Sequence, residues 1–264
     1  MAVDNINPSP IEIRADRLAG RKVIVVGASS GIGAAAVRRF AAEGAGVVAA
    51  ARRTDRLADI CAEVTAAGGQ ASFVACDVTQ EESVAEAVAV AADRLGGLDG
   101  AFNLAGTGAV GPIHELKAED FDRVMAVNLR GTFLSMKYEL KAMLESGGGA
   151  IVNTSSIGGL LATPDLPAYG ASKWGVNSLT KSAAVGYAPH NIRVNAIAPA
   201  ATLSEMLEMW LPTDEAKRAM ASQTPLNFIA LPDDMARVAL FLLSEEARWM
   251  TGSVVPVDGG ASAT

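Results

Sequence analysis

The chain predicts an α/β fold, a doubly wound parallel sheet of about seven strands with helices on both faces. Three observations carry this. Short runs rich in Val, Ile and Ala alternate with longer helical patterns from end to end. Gly pairs and Pro punctuate the connections, and strands separated by helices pair in parallel through right-handed crossovers. Half of the 264 residues are apolar, aromatics make up only 5%, and Ala, Val and Gly are abundant. That composition suits helices packed closely on a sheet buried on both faces.

The elements follow in order. Residues 1 to about 19, with Pro8 and Pro10, read as an irregular N-terminal arm. Residues 20–264 read as one domain, because no repeat, low-complexity segment or linker divides them. Val23–Val26 is a strand that runs into a glycine-rich turn, and Ala34–Glu43 is helical. Val47–Ala51 is the second strand. Arg56–Ala67 is helical and stops at Gly68 and Gly69. Ser72–Cys76 is the third strand, and the helix Glu81–Leu95 again stops at a Gly pair. Gly100–Leu104 is the fourth strand. A long helix covers Ala118–Leu144, broken or bent near Gly131. Ala150–Ser155 is the fifth strand, Pro167–Tyr187 a helix and Arg193–Ile197 the sixth strand. Residues 203–230 are the least regular stretch, Asp233–Ser244 is helical, and Val254–Val257 is the last strand.

The formal net charge of −7, with no long basic run, argues against a nucleic-acid-binding face. Locally placed positive groups and backbone amides would still admit an anionic cofactor. The first residues lack the charged and apolar segments of a signal peptide. No apolar run reaches the roughly 18 residues that span a bilayer. A soluble, cytoplasmic protein without a membrane or nucleic-acid partner is expected. Cys61 and Cys76 form neither a CxxC nor a ligand cluster, so they read as small apolar fillers and no metal site is expected.

The first strand ends in Gly27-Ala28-Ser29-Ser30-Gly31-Ile32-Gly33. Glycines let the chain turn sharply and let a pyrophosphate approach the backbone. The helix that follows offers free N–H groups and the positive end of its dipole. The spacing G-x-x-x-G-x-G differs from the commoner G-x-G-x-x-G. A ligand-free β–α turn could use the same glycines, but the strand before and helix after suit a phosphate cradle. No Gly-Lys-Ser/Thr follows, so this is not a Walker loop.

Tyr169 and Lys173 lie four residues apart, about one helical turn or ~6 Å of rise, with Ser156 thirteen positions upstream of Tyr169. Side chains at that spacing share a helix face. An ammonium beside a phenol favours the phenolate, so Lys173 is expected to pull the tyrosine pKa down from about 10. A tyrosine so tuned can pass a proton to and from a substrate oxygen.

With the glycine turn, Cys76-Asp77-Val78, Asn103-Leu104-Ala105-Gly106, Asn128, Ser156, Tyr169/Lys173, Arg193-Val194-Asn195, Pro199 and the ending Pro256-Val257-Asp258-Gly259-Gly260, the chain resembles the short-chain dehydrogenase/reductase family. The resemblance runs over about residues 20 to 260 and implies a Rossmann-like sheet and a nicotinamide cofactor. In that family an acidic residue at the end of the second strand holds the adenosine ribose. Here the position falls on Ala51, followed by Arg52 and Arg53. A missing carboxylate beside a guanidinium fits a 2′-phosphate, so NADP(H) is expected to be preferred, with NAD(H) possible. Arg52 is the expected main contact and Arg53 a helper, with Ser29 or Ser30 as hydroxyl donors. Ser30 stands where some NADP-using relatives carry a basic residue.

The resemblance also implies that Gly27, Gly31, Ile32 and Gly33 cradle the pyrophosphate. It puts Asp77 and Val78 beside the adenine, and Asn103, Ala105 and Gly106 along the cofactor. Leu104 replaces the second Asn of the usual N-N-A-G, and Ala200 replaces the Gly of Pro-Gly after Pro199. Thr202 or Ser204, by position Ser204, would bond the carboxamide or a phosphate. Ser156 would bind the substrate oxygen and Tyr169 would exchange its proton. Lys173 would lower the tyrosine pKa and hold the nicotinamide ribose. Asn128 would hold a water joining Lys173 to solvent. Residues 203–230 would form the substrate lid. Met206, Leu207, Met209, Trp210 and Leu211 make it apolar, which favours an apolar or aromatic ketone, although these residues could equally pack on the core or a second subunit.

The expected function is hydride transfer between NADP(H) and a ketone or secondary alcohol, with 3-oxoacyl thioester reduction as an alternative and a non-catalytic dinucleotide sensor as a distant one. A zinc alcohol dehydrogenase would need Cys/His ligands, and a Ser-His-Asp hydrolase would need Gly-x-Ser-x-Gly. The resemblance further implies a homotetramer, paired through the helices around Asp120–Leu144 and Pro167–Tyr187 and through the last strand.

Overall fold

The computed structural model describes residues 16–263; residues 1–15 of the expected N-terminal arm lie outside the described residues. Seven strands form one sheet: β1 Lys22–Val26, β2 Gly46–Ala51, β3 Gln70–Ala75, β4 Gly100–Asn103, β5 Gly149–Thr154, β6 Ile192–Pro199 and β7 Val254–Val257. Every neighbouring pair is parallel, in the order β3-β2-β1-β4-β5-β6-β7.

The side-chain period of two explains why such apolar runs become strands here. Val23, Val25, Val47 and Ala49 face one core, while Ile24, Val26, Val48 and Ala50 face the other. Both faces need cover, so alternate residues have no polar side to show. The first core is closed by α1 Gly31–Ala42, α2 Thr54–Ala66 and the helix Pro232–Leu243 near the end of the chain. Phe40 of α1 meets Phe102 of β4 there, ring centroids 5.9 Å apart. The second core is closed by α3 Glu81–Leu95 and by two helices reached after a break in the long helical segment.

That segment is α4 Ala118–Met125, a π-turn over Ala126–Arg130, and α5 Gly131–Ser146. The expected bend is thus a wider turn placed just before Gly131. Gly131 itself is helical, with φ −61°. It is small because a Cβ there would come within 2.8 Å of Val78 Cγ2. Helix α6 Pro167–Tyr187 begins on a proline whose missing N–H costs nothing at a first turn.

Residues 203–230 differ from expectation. They hold two short helices, α7 Glu205–Trp210 and α8 Asp214–Ala221, ahead of α9 Pro232–Leu243. The reason is capping. Ser204 Oγ accepts from Leu207 N at 3.2 Å, and Thr213 Oγ1 accepts from Ala216 N at 3.1 Å, satisfying donors that a helix start otherwise leaves free. The pair is held by a small apolar cluster of Leu207, Ala221 and Ile229.

At the other end, Leu18 is fully buried in the first core, and its N–H donates to the Glu43 carbonyl at 2.9 Å. Arg17 pairs with Glu246 at 2.5 Å. Among the described residues no helix is long and apolar enough to cross a membrane.

Candidate active site

The sheet order reverses between β1 and β4: from β1 the chain winds outward to β2 and β3, and from β4 outward the other way to β5, β6 and β7. Such a switch point leaves a crevice at the carboxyl ends of the strands. A cleft of about 660 Å³ opens there, reached by Val26, Leu104, Thr154 and Pro199 at the ends of β1, β4, β5 and β6.

The turn after β1 forms one wall. Gly27 has φ +94°, and a Cβ on it would stand 2.6 Å from the Ala105 nitrogen. A Cβ on Gly33 would collide with the Gly27 carbonyl oxygen and lie 2.8 Å from the Ala28 Cα. Side chains are excluded at both positions, so bare backbone and the start of α1 face the cleft. This cradle fits an anionic pyrophosphate. Ser29, Ser30, Gly31 and Ile32 line it as well.

Ala51, Arg52 and Arg53 continue this wall from β2. Arg53 Nη2 donates to Ser30 Oγ at 2.8 Å and to Ser29 Oγ at 3.0 Å. Its Nη1 pairs with Glu205 of α7 at 2.8 Å, and Arg56 pairs with the same carboxylate. Hydrogen bonds from Arg53 and then Arg56 hold Glu205 below the usual carboxylate range. Arg52 is exposed. Asp77 and Val78 close the floor. Asp77 caps its own turn, accepting from Thr79 N at 3.0 Å, and that bond first of all lowers its pKa. Burial pushes the neighbouring Cys76 thiol up to about 12, so it stays protonated.

Ser156, Tyr169 and Lys173 meet on the opposite wall. Ser156 caps a short 3₁₀ turn, Ile157–Gly159, and its Oγ accepts from Gly158 N at 3.1 Å. Its hydroxyl also hydrogen-bonds Tyr169. Lys173 Nζ lies 5.5 Å from the Tyr169 ring centroid. The lysine ammonium donates to the Thr154 carbonyl at 2.7 Å.

The expected depression of the tyrosine pKa does not appear. Burial raises it, and the Ser156 hydrogen bond offsets only part of the rise. The phenolate would lose much of its hydration here, and that loss outweighs the one hydrogen bond. Burial acts on Lys173 too, lowering it to about 8.

Ala105, Gly106, Pro199, Ala200, Thr202 and Ser204 also line the cleft. Thr202 is nearly buried, and its Oγ1 donates to the Ala200 carbonyl at 3.2 Å. Ser204 Oγ is the cap of α7 described above.

Two expected site residues lie behind the wall. Asn103 does not face the cleft. Its Nδ2 donates inward to Glu139 Oε2 at 2.9 Å and to Asn153 Oδ1 at 3.1 Å. Burial pushes Glu139 up to about 8. A protonated carboxyl supplies a donor to a cluster whose Asn103 Oδ1 and Glu139 Oε1 otherwise have no hydrogen-bond partner. Asn128 is fully buried. Its Oδ1 accepts from Thr107 N at 2.8 Å, and its Nδ2 donates to the Thr107 carbonyl at 2.9 Å and to Ser172 Oγ at 3.0 Å. Ser172 in turn donates to the Tyr169 carbonyl at 2.7 Å. The Asn128 carboxamide therefore ties the loop after β4 to the helix turn that carries Tyr169.

Three contributors escaped the sequence reading. Thr154 anchors Lys173 through a backbone carbonyl, which no side-chain motif records. Glu205 reaches Arg53 across 152 residues. Gly108 is the seat of Trp210, since a Cβ there would be 2.6 Å from the indole Cζ2. Trp210 meets Tyr169 edge-on, centroids 5.8 Å apart at 85°. A helix start Ser-Glu after Thr202 was the only local signal for Glu205. Among the described residues no group of three or more His, Cys, Asp or Glu could hold a metal ion.

A glycine-built cradle at a switch point, facing a phenol, a buried ammonium and a hydroxyl, defines a dinucleotide-binding oxidoreductase. Comparison with known proteins gives the family. A family profile described as Enoyl-(Acyl carrier protein) reductase matches residues 27–262. An A-factor type γ-butyrolactone 1′-reductase (1S-forming) of Streptomyces virginiae is 46% identical over 246 residues, 92% of this chain and 96% of the relative. A 2,5-dichloro-2,5-cyclohexadiene-1,4-diol dehydrogenase of Sphingobium indicum is 41% identical over 249 residues, covering 93% and 98% of the two chains. The crystal structure of levodione reductase superposes with a TM-score of 0.90 at 36% identity, covering 94% of this chain and 99% of that one. The chain belongs to the short-chain dehydrogenase/reductase family. It is an NAD(P)(H)-family oxidoreductase acting on alcohol or ketone groups.

Proposed function

We propose that this enzyme transfers hydride between NADP(H) and a compact cyclic ketone or its secondary alcohol, with Tyr169 as the proton donor and acceptor. The observation that carries the reading is the meeting of Ser156, Tyr169 and Lys173 on one wall of the cleft, with the Ser156 hydroxyl on the phenol. Relatives whose names include a butyrolactone and a cyclohexadiene diol support a ring substrate. So does the apolar cover of Met206, Leu207, Met209 and Trp210 over the site.

The glycine cradle, with Ser29 and Ser30, would hold the cofactor's pyrophosphate. Arg52, and Arg53 once released from Glu205, would hold its 2′-phosphate. Asp77 and Val78 would lie at the adenine, Ala105 and Gly106 along its length, and Pro199, Ala200, Thr202 and Ser204 at the nicotinamide end. The cofactor, when bound, supplies or receives the hydride. Ser156 Oγ holds the substrate oxygen against Tyr169 Oη. The raised tyrosine pKa keeps the phenol protonated at neutral pH, so carbonyl reduction is the direction the resting site is prepared for. Lys173, charged below about pH 8, would orient the ribose and stabilise the phenolate left after proton transfer. Asn128, through Thr107 and Ser172, fixes the turn of α6 on which Tyr169 stands.

Residues 20–264 work as one catalytic unit with 203–230 as its lid. The unit assembles as a homotetramer. Phe121, Phe133 and Trp174 expose apolar rings on α4, α5 and α6, beside a groove of about 600 Å³ lined by Met125, Leu129 and Leu179. Sedimentation over a range of concentrations checks the assembly, and a monomer would refute it. Both cysteines are buried and unpaired, which suits the reducing cytoplasm.

The decisive experiment is Tyr169→Phe, followed by the absorbance of the reduced nicotinamide. Turnover should fall on the order of 10²- to 10⁴-fold while NADPH binding survives. Undiminished turnover would refute the proton role. Arg52→Ala should lower kcat/KM for NADPH about tenfold or more and spare NADH, whereas a wild-type preference for NADH would refute the cofactor assignment.

A further inference from the structure

A single short helix of the lid reaches the phosphate end of the cleft with a carboxylate. Glu205 accepts from Arg53 Nη1 at 2.8 Å and from Arg56. The same Arg53 guanidinium donates to Ser29 and Ser30, so it lies on the phosphate turn. Ser204, just before Glu205, packs on that turn as well, 3.3 Å from where a Gly31 Cβ would stand. The end of β2, where a carboxylate would bind ribose hydroxyls, holds Ala51 instead.

We propose that Glu205 is a specificity-determining residue: a carboxylate supplied by the lid, held there by Arg53 and Arg56, that competes with the cofactor's 2′-phosphate for Arg53. This rests on the reading of Arg52 and Arg53 as the phosphate-binding pair.

The chemistry runs one way. A carboxylate and a phosphate dianion repel each other on one guanidinium, whereas a carboxylate accepts hydrogen bonds from unphosphorylated ribose hydroxyls. Glu205 therefore favours the cofactor without the phosphate and disfavours the one with it. The pairs are exchangeable because they are half exposed, with Arg53 at 42%, Arg56 at 46% and Glu205 at 48%, and ion pairs in such surroundings are weak. Arg52 has no hydrogen bond or ion pair among the described residues and stays available to a phosphate whatever Glu205 does. The balance between the two cofactors is thus set from two sides, by Arg52 on the sheet and by Glu205 on the lid.

The test compares wild type with Glu205→Gln and Glu205→Ala. Two quantities are read: the ratio of kcat/KM for NADPH to that for NADH, and calorimetric Kd values for adenosine 2′,5′-bisphosphate and for AMP. Both substitutions should raise the ratio about three- to tenfold. The bisphosphate should bind tighter by a similar factor, with AMP unchanged or weaker. An unchanged ratio, or equal shifts for both cofactors and both fragments, would overturn the proposal and leave Glu205 as a lid support. The NADP(H) reading fails separately: wild type preferring NADH would sink it, and a ratio that still rises on Glu205→Gln would sustain the competition.

Discussion

The turn after β1 and the helix α7 that lies over it face each other across one cleft, yet they are held by opposite means. The turn is fixed by exclusion. Its glycines have backbone atoms packed where a Cβ would go, and two buried cores stand behind it. Helix α7 is fixed by exchangeable contacts: one serine cap, the Glu205 ion pairs and an indole resting on Gly108. Its supporting cluster has only three buried members. Steric exclusion gives one geometry, while weak pairs permit several. A site that must hold a common cofactor and admit a particular substrate needs both.

The largest test of this contrast is Gly33→Ala. The added methyl would meet the Gly27 carbonyl and Ala28. Overpacking of that kind should cost about 3 kcal/mol and abolish cofactor binding, read by thermal unfolding and by nicotinamide fluorescence titration. A variant that melts with wild type would break the claim that the turn is sterically determined.

A smaller effect tests the buried scaffold by pH. The carboxyl of Glu139 is raised to about 8 in the fold and ionises near pH 4.3 when unfolded. Between those values the unfolded chain has given up a proton that the folded chain keeps, so stability falls as pH rises through that window and levels off above about 8. Glu139→Gln should remove the slope. Relative to wild type it should gain about 1–2 kcal/mol by pH 8.5, allowing for relaxation around the buried charge. Parallel melting curves for the two proteins from pH 5 to 8.5 would contradict this.

The smallest expected change in stability, under about 1 kcal/mol, belongs to the α7 variant Trp210→Ala, because this partly buried ring belongs to neither of the two large cores. Its effect should instead appear in substrate KM and in the range of ring sizes accepted. A loss of stability as large as that of Gly33→Ala would erase the distinction between the two regions.

The same contrast explains what was legible in the sequence. Val23–Val26 and Val47–Ala51 read as buried strands because both of their faces are apolar, and the glycine turn reads because no other residue fits. Tyr169 and Lys173 read from one turn of helix. The direction of the tyrosine pKa did not, since burial depends on walls contributed by distant segments. Asn103 reads like its family counterpart, but Glu139, far along the chain, draws its amide into the core. Helices α7 and α8 were missed because scattered Met and Leu masked caps at Ser204 and Thr213 that were there to be seen. Glu205 could not be paired from sequence, with Arg53 so remote.

The indole seated on Gly108 has an optical consequence. The chain has three tryptophans, of which Trp174 is 55% and Trp249 97% exposed. Only Trp210 is shielded, and it touches the Tyr169 ring edge-on. Collisional quenchers in the buffer extinguish the emission of open indoles first, so the residual blue-shifted light would come from α7. The enzyme thus carries its own lamp beside the Tyr169 phenol, one that would dim or shift whenever α7 lifts.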